Sequence, residues 1–287
     1  MTLPSLSSVR TRRDLCPGVL RPWPADDGAL VRIRLIGGRI TAAALTQLAE
    51  VSATYGDGDL HLTARANLQL RGLPAQDGTL AAEVGNAIER TGLLPSRTHD
   101  LARNVLVSPC TGLAGGRADL RPVAAELDAG LLADPRLAAL PGRFLFLLDD
   151  GRGDVLDREP DLGLVALDAS TAQLRHGVGG WGETVALSHA PTALLDLARH
   201  FLEVRGDDIT APWHVDELPS PLTVSRSRDP RTLVHAGPPP YGPGHVAVPA
   251  GKLAPDLVTA LTASGSDLVM TPWRSVIVEH LVDGLVR

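Results

Sequence analysis

Leu60-His61-Leu62-Thr63-Ala64-Arg65-Ala66-Asn67-Leu68 can be laid on Leu268-Val269-Met270-Thr271-Pro272-Trp273-Arg274-Ser275-Val276. Both stretches alternate polar and apolar residues and carry Thr, then Arg, near the middle. A helix-like stretch precedes each, 41–54 in the first case and 254–263 in the second. Each of these follows a Gly-basic-apolar triplet, Gly38-Arg39-Ile40 and Gly251-Lys252-Leu253. Ahead of each triplet runs an apolar, strand-like segment, 29–36 and 245–248. The chain therefore reads as a strand–helix–strand unit used twice, at about 28–73 and 244–281.

A different pattern fills the space between the copies. Residues 78–91, 121–132 and 191–204 have apolar positions at helix spacing, with Ser188 as an N-cap for the last. Residues 104–107, 162–167 and 184–187 read as strands. Residues 144–148 and 153–156 flank Asp149-Asp150-Gly151-Arg152 and predict a hairpin. A proline-rich stretch, 211–243, reads as a linker. Strands mixed with helices in this order predict an α+β fold.

Composition excludes several classes of function. Hydrophobic residues make up 44% of the 287, and charged residues 21%, so a packed core is expected rather than disorder. Aromatics are only 3%, and that core must rest on Leu, Val and Ala. A net charge of −6 argues against general nucleic-acid binding. No apolar run is long enough to span a bilayer, and nothing at the start reads as a signal peptide, so a cytoplasmic protein is expected. With 2 cysteines, neither a disulfide framework nor a four-thiolate metal site can be built within the chain. The histidines form no metal motif. Lys252 is the only lysine, so an anion site here would be made of guanidinium groups.

Three segments carry candidate chemistry. If Leu62 to Gly72 is one strand, then Thr63, Arg65, Asn67, Gln69 and Arg71 share a face. Such a face is either a solvated edge or a row of donors suited to a flat polycarboxylate or an oxyanion. Arg103-Asn104 opens an apolar strand that ends in Ser108-Pro109, and Leu140-Pro141-Gly142-Arg143-Phe144 is a turn feeding another strand. Taken alone, each has a bland structural reading. His61 reads as a surface histidine on the same polar face, and Gly177-Val178-Gly179-Gly180 as a turn or as a loop that lies against a ring.

Taken in order, the three segments resemble the siroheme-dependent nitrite and sulfite reductases, and among them the precorrin-3B synthase branch of cobalamin biosynthesis. Cys16-Pro17-Gly18-Val19, followed by Asp27-Gly28-Ala29-Leu30, is similar to the start of that branch. The resemblance runs from about residue 12 to the end of the chain. It implies two ferredoxin-like half domains, related by a pseudo-twofold axis, flanking one α/β cofactor domain. The implied division is an N-terminal arm (1–27), the first half (28–75), the tetrapyrrole-binding-type domain (76–210), the linker (211–243) and the second half (244–287). The resemblance also implies roles. Arg65 and Arg103 would hold tetrapyrrole carboxylates or the anionic substrate, with Arg71 and Arg143 helping and Asn67, Gln69 and Asn104 as neutral donors. Arg143 stands where the reductases carry Lys, and Leu145 where they place a second base. That loss of charge argues for a polycarboxylate tetrapyrrole substrate rather than six-electron reduction of a small anion.

The family's cofactors are a four-iron cluster and siroheme or iron, and its cluster cysteines lie in a further domain after the second half. Cys16 and Cys110 do not replace them. The expected function is therefore a precorrin-3B synthase-like oxidoreductase, or the N-terminal part of one, hydroxylating a precorrin with oxygen. A separate cluster-bearing chain or self-association would complete it. The alternatives are a non-catalytic tetrapyrrole-binding module or truncated remnant, and a fragment of a siroheme-type sulfite or nitrite reductase.

Overall fold

Residues 14–208, 210–232, 244–279 and 281 are described in the computed structural model. The first repeat forms β1 (Trp23–Ala25), β2 (Gly28–Ile33), β3 (Arg39–Ile40), α1 (Ala42–Tyr55), β4 (Leu60–Leu62) and β5 (Leu68–Leu73). Thr41 caps α1 by accepting a hydrogen bond from the Ala44 amide at 3.1 Å. Leu45, Leu48 and Val51 line one face of that helix and are buried. Each fully buried leucine stabilises the fold by about 1.5–3 kcal/mol. A small hairpin, β6 (Ala75–Gln76) and β7 (Thr79–Leu80), leads into α2 (Ala82–Arg90). The sequence reading had placed the helix start at the hairpin's turn.

The middle domain comprises β8 (Val105–Val107), α3 (Arg121–Ala133), β9 (Phe146–Asp149), β10 (Leu162–Ala166), β11 (Thr171–His176), β12 (Gly180–Ala186) and α4 (Ala190–Arg205). Its sheet runs β12-β11-β10-β9-β8, with β8, β9 and β10 parallel. Val105, Val107, Phe146 and Leu148 face α3 and α4, while Leu106 and Leu147 join the core of the half domains. Both faces are covered, which is why these strands read as unbroken apolar runs. Phe144 sits between Phe146 and Phe201, with ring centroids 5.2 and 4.9 Å away.

Three expectations are corrected here. Residues 153–156 are not a strand, and β9 pairs with parallel neighbours rather than in a hairpin. The Asp149 carboxylate, buried at the end of β9, accepts from the Gly151 and Gly153 amides and folds the chain into a loop. Ser188 is not the cap of α4: the preceding residue is His189, with no side-chain cap bond. Segment 211–232 is more than a connector, since Trp213, Val215 and Leu222 are buried and Arg226 donates its amide to Trp181 O at 2.7 Å. Residues 233–243 of the expected linker, and residues 1–13 of the expected arm, lie outside the described residues.

The second repeat forms β13 (His245–Ala247), β14 (Lys252–Leu253), α5 (Pro255–Thr262), β15 (Leu268–Met270) and β16 (Ser275–Val278). The two repeats exchange strands reciprocally. β14 pairs with β4, Lys252 opposite His61 and Leu253 opposite Leu60. β3 pairs with β15, Arg39 opposite Val269 and Ile40 opposite Leu268. These are the same positions of the repeat on both sides, as a pseudo-twofold relation requires. At Gly38, with φ +75°, a Cβ would lie 2.1 Å from Met270 O of the other half. Only glycine allows that approach. The fold is α+β, with two ferredoxin-like halves sharing one core around the sheet of the middle domain.

Candidate functional site

The stretch from Leu62 to Gly72 is not one strand. Thr63 Oγ1 accepts from the amides of Arg65 (3.3 Å) and Asn67 (3.1 Å), and Ala66 adopts φ +56°. The chain therefore reverses, and β4 and β5 form a hairpin with Arg65 and Asn67 in its turn. The shared polar face disappears with the reversal. Gln69 and Arg71 lie on β5, where Gln69 is opposite Arg32 and His61. Arg71 pairs with Asp27 at 3.2 Å, half-exposed at the surface.

The turn reaches across to the middle domain. Asn67 is 2% exposed. Its Oδ1 accepts from the Leu35 amide at 2.9 Å, and its Nδ2 donates to Asn104 Oδ1 at 3.2 Å. Asn104 Nδ2 in turn donates to Gly142 O at 2.7 Å. Arg65 Nη1 donates to Arg143 O at 2.8 Å. The three sequence motifs thus converge, tied by one buried amide chain and one guanidinium bond. The amides of Asn67 and Asn104 are spent on each other and on backbone. Their role in the structure is to align the half domain with the strands that carry the arginines.

Arg65 and Arg143 open onto a cavity of about 550 Å³, floored by Leu106 and Leu145 and walled by Arg158, Trp213 and His214. Burial pushes the Arg65 guanidinium down, and Arg32 and Arg143 nearby push the same way. A carboxylate entering here would relieve that repulsion. Arg103 does not share this cavity. It is buried, forms a bidentate pair with Asp128 of α3 (2.6 and 2.9 Å), and lines a second cavity of about 610 Å³. The second cavity is mainly apolar, lying between α3 and residues 35–37, with Arg34, Arg39 and Arg121 also at its wall.

Several residues of this region escaped the sequence reading. Arg34 is 3% exposed, pairs with Asp100 at 3.6 Å, and donates to Pro17 O and Gly142 O. Burial holds its guanidinium down at about 10. The Asp14 carboxylate accepts from the Gly142 amide, which ties the N-terminal arm to the Arg143 turn. Asp161, buried behind Leu145, is pushed up to about 6 by burial. The alternation of Arg32, on β2, and Arg34, just past its end, is a signal for a basic strand; nothing in the sequence marks Asp161 or His214.

Both cysteines are free thiols. Burial raises both thiols, and Cys110 packs in an apolar cluster with Leu113, Val269 and Ile277. Two protonated thiols, one of them in apolar packing, do not fit a four-iron cluster. Among the described residues no group of His, Cys, Asp or Glu could hold a metal ion, and no helix is long and apolar enough to cross a membrane.

The fold and this cavity define a class: paired ferredoxin-like half domains packed on an α/β domain, with arginines at the junction. Residues 24–78 match the nitrite/sulfite reductase ferredoxin-like half domain. The chain is 34% identical over 131 residues to a precorrin-3B synthase from a Sinorhizobium species, covering 42% of this chain and 25% of that protein. It is 31% identical over 122 residues to a ferredoxin–nitrite reductase of Leptolyngbya laminosa (40% of this chain, 23% of that protein). It is 26% identical over 196 residues to one of Synechococcus elongatus (62% and 38%). The NirA protein of Mycobacterium tuberculosis shares the fold, with a TM-score of 0.62 at 19% identity, over 95% of this chain and 60% of that one. The chain matches the nitrite/sulfite reductase family, an oxidoreductase family, and the matches span between 23% and 38% of the curated relatives' length.

Proposed function

We propose that this chain is the tetrapyrrole-handling part of a precorrin-3B synthase-like oxidoreductase. The observation that carries the reading is the meeting of Arg65 and Arg143 at one cavity, each brought there by a motif that resembles that family's. The substrate would be a precorrin, a ring rimmed with carboxylates. Arg143, exposed and joined to the site through its backbone, would pair with one carboxylate, and Arg65 with another through the donors not used on Arg143 O. Leu106 and Leu145 would lie against the ring and keep water from it. Leu145 supports a large apolar ligand over nitrite or sulfite, which need dense charge around a small anion. Were the ring a siroheme instead of a precorrin, the same arginines would hold its carboxylates, and it would relay electrons delivered from elsewhere. The cluster has no ligands in this chain, so any redox step would require a second chain or a further domain.

The second reading is a tetrapyrrole-binding module without turnover, favoured by the cysteine count. Absorption titrations with siroheme and with uroporphyrin, a metal-free polycarboxylate porphyrin, test the shared part of both. A saturable shift is expected, weakened about tenfold or more by Arg65→Ala or Arg143→Ala, since a charge-assisted hydrogen bond contributes about 1.5–3 kcal/mol. No shift with either ring, or a shift that both substitutions leave intact, would overturn the site. Turnover on adding a cluster-bearing partner would separate the enzyme from the module.

A further inference from the structure

Segment 211–217 brings His214 to the wall of the cavity that Arg65 and Arg143 share. The imidazole lies between two carboxylates. Nε2 is 3.8 Å from Asp161 Oδ1, and Nδ1 is 3.6 Å from Asp216 Oδ2. Nδ1 also accepts from the Asp216 amide at 3.1 Å, so the neutral ring carries its proton on Nε2, aimed at Asp161. That Nε2 is buried and has no hydrogen-bond partner. Asp161 is 1% exposed, and its oxygens accept from the amides of Leu145 (2.8 Å) and Val215 (3.1 Å). Burial pushes this carboxyl up to about 6, and an imidazole ordinarily changes charge between about pH 5 and 8. A buried carboxyl and an imidazole whose Nε2 has no partner thus sit side by side at the cavity.

The charges around them give the pair a use. Arg65 faces it from the hairpin turn and Arg143 from the turn before β9. Asp157, Arg158 and Glu159 face it from the loop before β10, and Asp216 and Glu217 from its own segment. With the imidazole neutral, the wall sets 3 guanidiniums against 4 carboxylates, and Asp161 lies behind it. Such a wall has no surplus charge with which to receive an anion. One proton on the imidazole brings the lining to 4 positive groups against 4 negative ones, with Asp161 still behind them, and makes the wall more receptive to an anion.

We infer that the cavity takes up its anionic ligand together with one proton, which the His214–Asp161 pair holds. In the protonated state Nε2–H turns to Asp161 and Nδ1–H to the Asp216 carboxylate. The proton comes from solvent on binding, the Asp216 amide gives up its hydrogen bond to Nδ1, no covalent bond other than N–H forms, and a transferable proton is left beside the bound ring. This inference rests on the carboxylate-binding reading of Arg65 and Arg143 and adds to it the group that sets its pH dependence.

The test is calorimetric titration of the whole chain with uroporphyrin near pH 7, in Hepes and in Tris, whose ionisation enthalpies differ. Uptake of about one proton per ring is expected, with affinity falling toward tenfold per pH unit at higher pH. His214→Gln should bring uptake close to zero and flatten the profile, with the folded circular dichroism spectrum kept. If that variant does not fold, imidazole ¹⁵N shifts of the unaltered chain read the same proton. Uroporphyrin should then hold one histidine ring doubly protonated to higher pH. Binding that depends on Arg65 and Arg143 but takes up no proton, or takes it up equally in His214→Gln, overturns the inference alone. Absence of binding, or binding indifferent to both arginines, overturns the site reading and the inference with it.

Discussion

The two hairpin turns, 63–67 and 271–275, share a backbone and divide the work of their side chains. In each, a threonine hydroxyl accepts from the amides two and four residues on, at 3.3 and 3.1 Å for Thr63 and at 3.3 Å twice for Thr271. In each, the fourth residue of the turn is left-handed, Ala66 at φ +56° and Arg274 at +58°. The side chains then part. Asn67 leaves its turn for Leu35 and Asn104, and Arg65 for Arg143. Ser275 stays local, bonded to Thr271 Oγ1 at 2.6 Å and His245 Nε2 at 2.5 Å. Trp273 occupies the position of Arg65. The threonine and the left-handed residue make the repeat, and the two positions beside them decide which turn is hydrogen-bonded across to the middle domain.

Substitutions at matched positions can break this contrast. Asn67→Ala leaves the buried Leu35 amide and Asn104 without partners and should cost about 2–3 kcal/mol in urea unfolding. Ser275→Ala should cost about 1 kcal/mol, and equal losses would dissolve the asymmetry. Arg65→Ala should weaken uroporphyrin binding about tenfold or more, while Trp273→Ala leaves it unchanged. An effect of Trp273→Ala on binding would move the ligand to the other copy. Thr63→Val and Thr271→Val should each cost about 1 kcal/mol, and a marked inequality would show that the turns are not equivalent. The smallest effect is a gain. Arg274→Gly removes left-handed strain at an exposed site and should stabilise by about 0.5–1 kcal/mol. Ala66→Gly loses a buried methyl as well and should show no such gain.

Much of the fold was legible because apolar periodicity marks buried helices directly: 41–54, 121–132 and 191–204 lie within a residue or so of α1, α3 and α4. The repeat was legible because its two turns need the same threonine. The reversal at 63–67 was not, because an alanine carries no mark of a positive φ. β11 was not legible because Gln173, Arg175 and His176 break any apolar run, yet all three are buried. Gln173 spends its side chain on Gly182 O, Ser227 O and the Asp229 amide, partners brought by segment 226–229. At the site, the motifs pointed to Arg65 and Arg143, but their order along the chain could not show that Arg103 turns to Asp128. The Asp161–His214 pair depends on burial and on two distant segments meeting, which no local pattern records.

The reciprocal strand exchange has a consequence for how the chain is made. The edge that β4 presents is closed by β14, which a ribosome delivers only once residue 253 has been added. Until then the first repeat and the whole middle domain exist with that edge open and its amides unpaired. β3 waits likewise for β15. Completion is therefore tied to pairings of very long sequence separation, which close slowly and leave a newly synthesised chain exposed to wrong partners in the interval.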